Sequence, residues 1–132
     1  MRAKLGTFQY EIGLLASDGQ RYQTFEAWVD TGAHYSQFPA SVLEAMGYQP
    51  SASRRFRLAD GSVSESPVGP VVIRINDETQ PVLCLFAEEG ADVNLGAISL
   101  ETFTLAADPV NKTLTPVEAK RLASAADVTY GA

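Results

Sequence analysis

Asp30 is the acidic side chain best placed for chemistry. It follows the strand-like stretch Phe25-Glu26-Ala27-Trp28-Val29 and opens the tripeptide Asp30-Thr31-Gly32, which occurs once in 132 residues. The loop then runs Ala33-His34-Tyr35-Ser36-Gln37-Phe38-Pro39. A carboxylate pushed off the end of a buried strand into a glycine-containing turn packs badly but can reach a reacting group. If it is catalytic, its chemistry needs a second carboxylate. Like charges held close cannot both ionise cheaply, so one stays protonated while the other acts as a base. With one such Asp per chain, two-fold symmetry between copies is the natural source of the second.

The rest of the composition narrows the choices. The net charge is −6, and apolar residues make up 45% of the chain. An acidic balance argues against binding nucleic acid or an anionic membrane, since both need an excess of Lys and Arg. The densest basic cluster, Ser53-Arg54-Arg55-Phe56-Arg57, reads as a solvated strand face. One His and one Cys cannot form a Cys/His zinc site within a chain, and no metal or other cofactor is expected. Cys84, inside Val82-Leu83-Cys84-Leu85-Phe86, reads as a buried thiol with no disulfide partner. Met1-Arg2-Ala3-Lys4 leads straight into an alternating strand, so the expected location is cytoplasmic.

Several elements must position Asp30. Phe8, Tyr10, Ile12 and Leu14 alternate with Gln9, Glu11 and Gly13, the period of a half-buried strand. Ser17-Asp18-Gly19-Gln20 is a hairpin turn, and its partner strand runs from about Arg21 to Val29. Asp60-Gly61 turns a second hairpin over about 53–67. Further strands are expected at 71–75, closed by Asn76-Asp77-Glu78, and at 81–86, buried on both faces. Ser41-Val42-Leu43-Glu44 has the pattern of a capping box, with Gly47 as the helix stop. A second short helix is expected over 97–103. A third begins at Thr115-Pro116-Val117-Glu118, with Thr115 as its cap, and ends near Ala126. The fold class is all-β, a closed or strongly bent barrel with short helices.

Three ordered segments resemble the retropepsin-like (clan AA) aspartic proteases, above all their small soluble microbial members. They are Trp28-Val29-Asp30-Thr31-Gly32-Ala33 with Phe38-Pro39; Arg57-Leu58-Ala59-Asp60-Gly61-Ser62-Val63; and Asn94-Leu95-Gly96-Ala97-Ile98-Ser99-Leu100-Glu101 running on into Leu105-Ala106-Ala107-Asp108-Pro109-Val110-Asn111-Lys112. The resemblance implies a protease domain over 1–117, a C-terminal extension over 118–132, and a homodimer acting on a peptide or protein substrate. It implies Asp30, Thr31 and Gly32 as catalytic residues. Ala33 and the hairpin residues Ala59, Asp60, Gly61 and Ser62 become substrate-binding residues, the last three at the tip of a flap. Gly96 lets its turn pack against the Asp30 loop. Viral members carry an acid two residues after the motif glycine, paired with an Arg after the glycine of the later turn. Here His34 and Ala97-Ile98 hold those places, so that ion pair is absent. The alternative is a non-catalytic β-module of the same fold that binds peptides or dimerises.

Overall fold

The computed structural model describes residues 7–118. Its strands are β1 (Phe8–Leu15), β2 (Tyr22–Val29), β3 (Ser36–Pro39), β4 (Ala52–Arg57), β5 (Val63–Ile75), β6 (Glu78–Ala87), β7 (Asn94–Leu95), β8 (Leu105–Asp108) and β9 (Thr113–Pro116). Two short helices, α1 (Ala40–Ala45) and α2 (Ala97–Phe103), interrupt them. Seven strands form one sheet in the order β1-β2-β7-β3-β6-β5-β4, while β8 and β9 form a separate ribbon.

The large sheet curls back on itself. β1 pairs with β2 along its whole length and also meets β5 at Gly13↔Arg74 and Leu14↔Ile73. Six strands therefore form a ring, with β4 outside it on the far edge of β5. The closure is thin: β1 and β5 share two residue pairs, and β7 is two residues long. The expected barrel is thus a ring-like sheet.

Alternation sets which side chains fill the ring. Phe8, Ile12 and Leu14 from β1, Ala27 and Val29 from β2, Val71, Ile73 and Ile75 from β5, and Val82, Cys84 and Phe86 from β6 are buried together. Phe25 meets Phe38 edge to face at 5.4 Å, a favoured geometry for two rings. Leu83 and Leu85 on the outer side of β6 are only half-buried, so burial on both faces of that strand is partial. Burial pushes the Cys84 thiol up, leaving it protonated and inert. Tyr48 ties the ring together by donating its hydroxyl to Leu15 O and accepting the Val72 N–H at 3.1 Å.

Both hairpins form at the expected Asp-Gly turns, with Gly61 at φ +87°, a conformation glycine adopts without cost. α2 spans the expected residues. α1 forms, but Pro39 rather than Ser41 is its N-cap, and no side chain caps it. Phe38 and Pro39 belong to β3, so the chain passes from strand to helix at the proline and Ser41 falls inside the helix. Its hydroxyl donates instead to Glu89 Oε2 at 2.6 Å. Gly47 does stop this helix: its N–H and that of Tyr48 bond Glu44 O and Leu43 O, both at 3.0 Å, in a Schellman arrangement. The third helix does not begin at Thr115. Thr115 and Pro116 close β9 against Ala106 and Leu105, and the Val117 N–H still bonds Thr104 O at 2.9 Å. The rest of that predicted helix lies outside the described residues.

Candidate active site

The Asp30 loop exists because β7 separates the two strands that the loop joins. β7 runs parallel to β2, pairing Trp28↔Asn94 and Val29↔Leu95, and antiparallel to β3 at Gln37↔Asn94. A chain leaving β2 must therefore arch over the end of β7 to reach β3, and Asp30 to Tyr35 make that arch. Asp30 continues the parallel ladder through its N–H, which donates to Leu95 O at 3.0 Å. Its carbonyl accepts the Ala33 N–H at 3.1 Å, closing the first turn.

Asp30 as a whole is 7% exposed. The carboxylate Oδ1 accepts the Gly32 N–H at 3.1 Å. Glycine suits position 32 on packing grounds, since a Cβ there would stand 3.3 Å from the same oxygen. Thr31 and Gly32 are exposed and Ala33 is half-buried, so the motif presents a buried acid beside an open backbone.

The turn after β7 clamps the arch from behind. The Ala97 N–H bonds Ala33 O at 2.8 Å, and the Ile98 N–H bonds His34 O at 3.0 Å. A Cβ on Gly96 would lie 2.6 Å from Tyr35 O and 2.9 Å from Ala33 O, so only glycine fits. The expected close packing of Gly96 on the loop is thus present. The segments that carry the viral ion pair are joined here by backbone hydrogen bonds. A polar pair lies deeper, with Ser36 and Ser99 each 1% exposed. Their hydroxyls are 2.6 Å apart, and Ser36 Oγ also accepts the Gly96 N–H at 3.0 Å. Sequence reasoning missed both serines. The one available signal was Ser36 standing two residues before Phe38, on the inward side of a strand.

The β4–β5 hairpin overlooks this arch. Apart from Phe56, β4 is exposed along its length, as are alternate residues in the first part of β5. Its tip is Leu58–Ser62, which contains the predicted residues Ala59, Asp60, Gly61 and Ser62, all exposed. Asp60 Oδ1 accepts both the Ser62 N–H, at 2.9 Å, and the Ser62 hydroxyl, at 2.6 Å. These two bonds hold the Asp60 carboxyl below its ordinary pKa. Hairpin and arch meet at Phe56 and Tyr35, whose rings touch edge to face at 5.8 Å. Neither ring was predicted to join the two parts.

A family model described as aspartyl protease matches residues 15–99, well over half of the chain. The chain belongs to the aspartyl protease family. That is the family implied by the three ordered segments, and the matched span includes the Asp30 arch, the 58–62 tip and the clamp at Gly96. Among solved structures, a retropepsin-like aspartic protease from Rickettsia conorii is 17% identical, over 76% of this chain and 85% of that one, with a TM-score of 0.43. None of the curated proteins compared matches the sequence. Among the described residues, no helix is long and apolar enough to cross a membrane, and no cluster of side chains is arranged to hold a metal ion.

Proposed function

We propose that this aspartyl protease family member is a homodimeric endopeptidase whose two Asp30 carboxylates face each other across a two-fold axis. The observation that carries the reading is Asp30, a buried residue at the end of β2 whose carboxylate is held by the Gly32 N–H on a clamped arch. Two such acids share one proton. The ionised partner takes a proton from a water, whose oxygen attacks the carbonyl carbon. The protonated partner hydrogen-bonds the carbonyl oxygen. A proton then passes to the leaving nitrogen as the C–N bond breaks, giving a carboxylic acid and an amine with no acyl-enzyme. Thr31 bonds across the dyad, Gly32 and Ala33 present backbone to the substrate, and Ala59, Asp60, Gly61 and Ser62 form a flap tip that closes over an extended peptide. The buried, unpaired Cys84 suits a reducing compartment, and the cytoplasm is our reading of its location.

The test is cleavage of an unfolded protein at mildly acidic pH, with molecular mass followed by light scattering. Asp30→Asn abolishes cleavage and leaves the dimer mass unchanged, whereas equal activity in that variant overturns the mechanism. A second reading, a peptide-binding module without turnover, draws on the polar tip in which Asp60 is already engaged by Ser62. Peptide binding by the native protein without cleavage, and indifferent to Asp30→Asn, favours that module.

A further inference from the structure

The β4–β5 hairpin departs from the charge of the rest of the molecule. The chain has a net charge of −6, yet β4 places Arg54, Arg55 and Arg57 within four residues. Across the ladder they face Ser66, Glu65 and Val63. Among the described residues, no carboxylate lies within ion-pair distance of any of the three guanidiniums. Arg54 Nη1 donates to Ser53 O at 3.1 Å and Arg57 Nη1 to Gly61 O at 3.0 Å, both backbone oxygens. Glu65, directly opposite Arg55, accepts the Ser53 hydroxyl at 3.2 Å instead.

Strand alternation divides these arginines between two faces. Arg54 and Phe56 share one face with Ser64 and Ser66, while Arg55 and Arg57 share the other with Glu65 and Val63. Because Phe56 touches Tyr35, five residues past Asp30, the Arg54 face is the one turned toward the arch. Arg54 stands about 7 Å along the strand from Phe56. A peptide lying between hairpin and arch would therefore meet an aromatic pair and, one side-chain step away, a guanidinium without an acid of its own.

We propose that Arg54 is a specificity-determining residue that selects extended peptides carrying a Glu or Asp at one position flanking the cleaved bond. The inference rests on the endopeptidase reading and names its substrate class. A guanidinium–carboxylate bond is charge-assisted and directional, so it discriminates Glu from Gln at similar size. A long polyanion such as RNA is disfavoured, because the net negative charge of the molecule opposes it while a single acidic side chain feels the local cation. The bland alternative is that the arginines only guard β4, an edge strand, from pairing with other chains.

The test uses quenched peptides that differ only by Glu or Gln at successive positions around the cleaved bond. The native protein cleaves one Glu peptide about tenfold better in kcat/KM than its Gln twin, with the difference in KM and reduced by salt. Arg54→Gln brings that ratio to about one, and Arg54→Glu inverts it. Arg57→Gln, altered on the opposite face, keeps the preference. The same peptides are also titrated against Asp30→Asn by fluorescence anisotropy, which reads binding without turnover. Cleavage with no Glu preference, or a preference untouched by Arg54→Gln, overturns the inference and leaves the endopeptidase reading standing. Glu-selective binding that depends on Arg54, with no cleavage by the native protein, upholds the selection and overturns the endopeptidase. Displacement of the bound peptide by an RNA oligomer of equal charge also overturns the inference, since the site would then take any polyanion.

Discussion

The Asp30 arch is held from behind by bonds to Leu95, Ala97 and Ile98, more than sixty residues away in sequence, whereas the 58–62 tip is held by bonds among residues 57–62. The arch rests on buried groups: Ser36, Leu95 and Ser99 lie inside, and Gly96 sits against two carbonyls. The tip is exposed throughout, and the hairpin meets the arch through the Phe56–Tyr35 contact, two residues before the tip. Long-range bonds under a buried aspartate fix its direction, since moving it requires several distant segments to move together. Short-range bonds at a tip allow the whole hairpin to swing as a unit without breaking them. On the endopeptidase reading, the molecule separates aiming a carboxylate from admitting a chain. Amide exchange is expected to follow the same division, slow at Asp30, Ala97 and Ile98 and fast in the tip.

The largest effect comes from breaking the clamp. Gly96→Ala drives a methyl group to within 2.6 Å of Tyr35 O, and a backbone carbonyl cannot rotate aside as a side-chain end can. The expected loss of unfolding free energy lies at or above the upper end of the ~1–3 kcal/mol usual for overpacking, read from urea midpoints. Gly61→Ala at the tip meets no atom within 4 Å, and its cost comes from the positive φ alone. If the two substitutions cost the same, the contrast between arch and tip is wrong.

A smaller effect tests what lies behind the clamp. Ser36→Ala removes the acceptor of the Gly96 N–H and one half of the Ser36–Ser99 pair, stranding two buried polar groups. Such losses cost about 1–3 kcal/mol. The double variant Ser36→Ala/Ser99→Ala is expected to cost less than the sum of the two single changes, because a stranded hydroxyl is then absent. Additive costs would show that the two serines act independently.

Much of the hairpin side was legible in the sequence because its determinants are local. Asp18-Gly19 and Asp60-Gly61 specify their turns with few neighbours, and alternation in residues 8–14 fixes which face of β1 is buried. Asp30-Thr31-Gly32 and Gly96 were readable as motifs. The arch around them was not, because its shape depends on a two-residue strand slipping between β2 and β3, and no local pattern announces a strand that short. The α1 cap was misplaced for a related reason. Ser41 and Glu44 have the right spacing, but burial of Phe38 in β3 sets where the helix can start. Thr115 and Pro116 likewise look like a helix start, and pairing with Leu105 and Ala106 overrides that preference.

The smallest effect sharpens the contrast from the side of the tip. The Asp60 carboxyl titrates below its ordinary value because Ser62 donates two hydrogen bonds to the charged form, the side-chain bond being the larger cause. A carboxylate depressed in the folded state contributes its stability at pH above the ordinary value of about 4, and that contribution disappears as pH falls through the lower folded value. The tip is therefore expected to loosen as the Asp60 carboxylate takes up its proton. The amide resonance of Ser62, followed from pH 6 to pH 2, is expected to titrate with a midpoint below the ordinary carboxylate value, and Ser62→Ala to raise that midpoint toward it. Global stability should barely change through this step, because the group is fully solvated and water already screens its interactions. A concurrent loss of protection at the Ala97 and Ile98 amides would mean that tip and arch are one cooperative unit. The hairpin could then not open over a fixed carboxylate, and the division between aiming and admitting would fail.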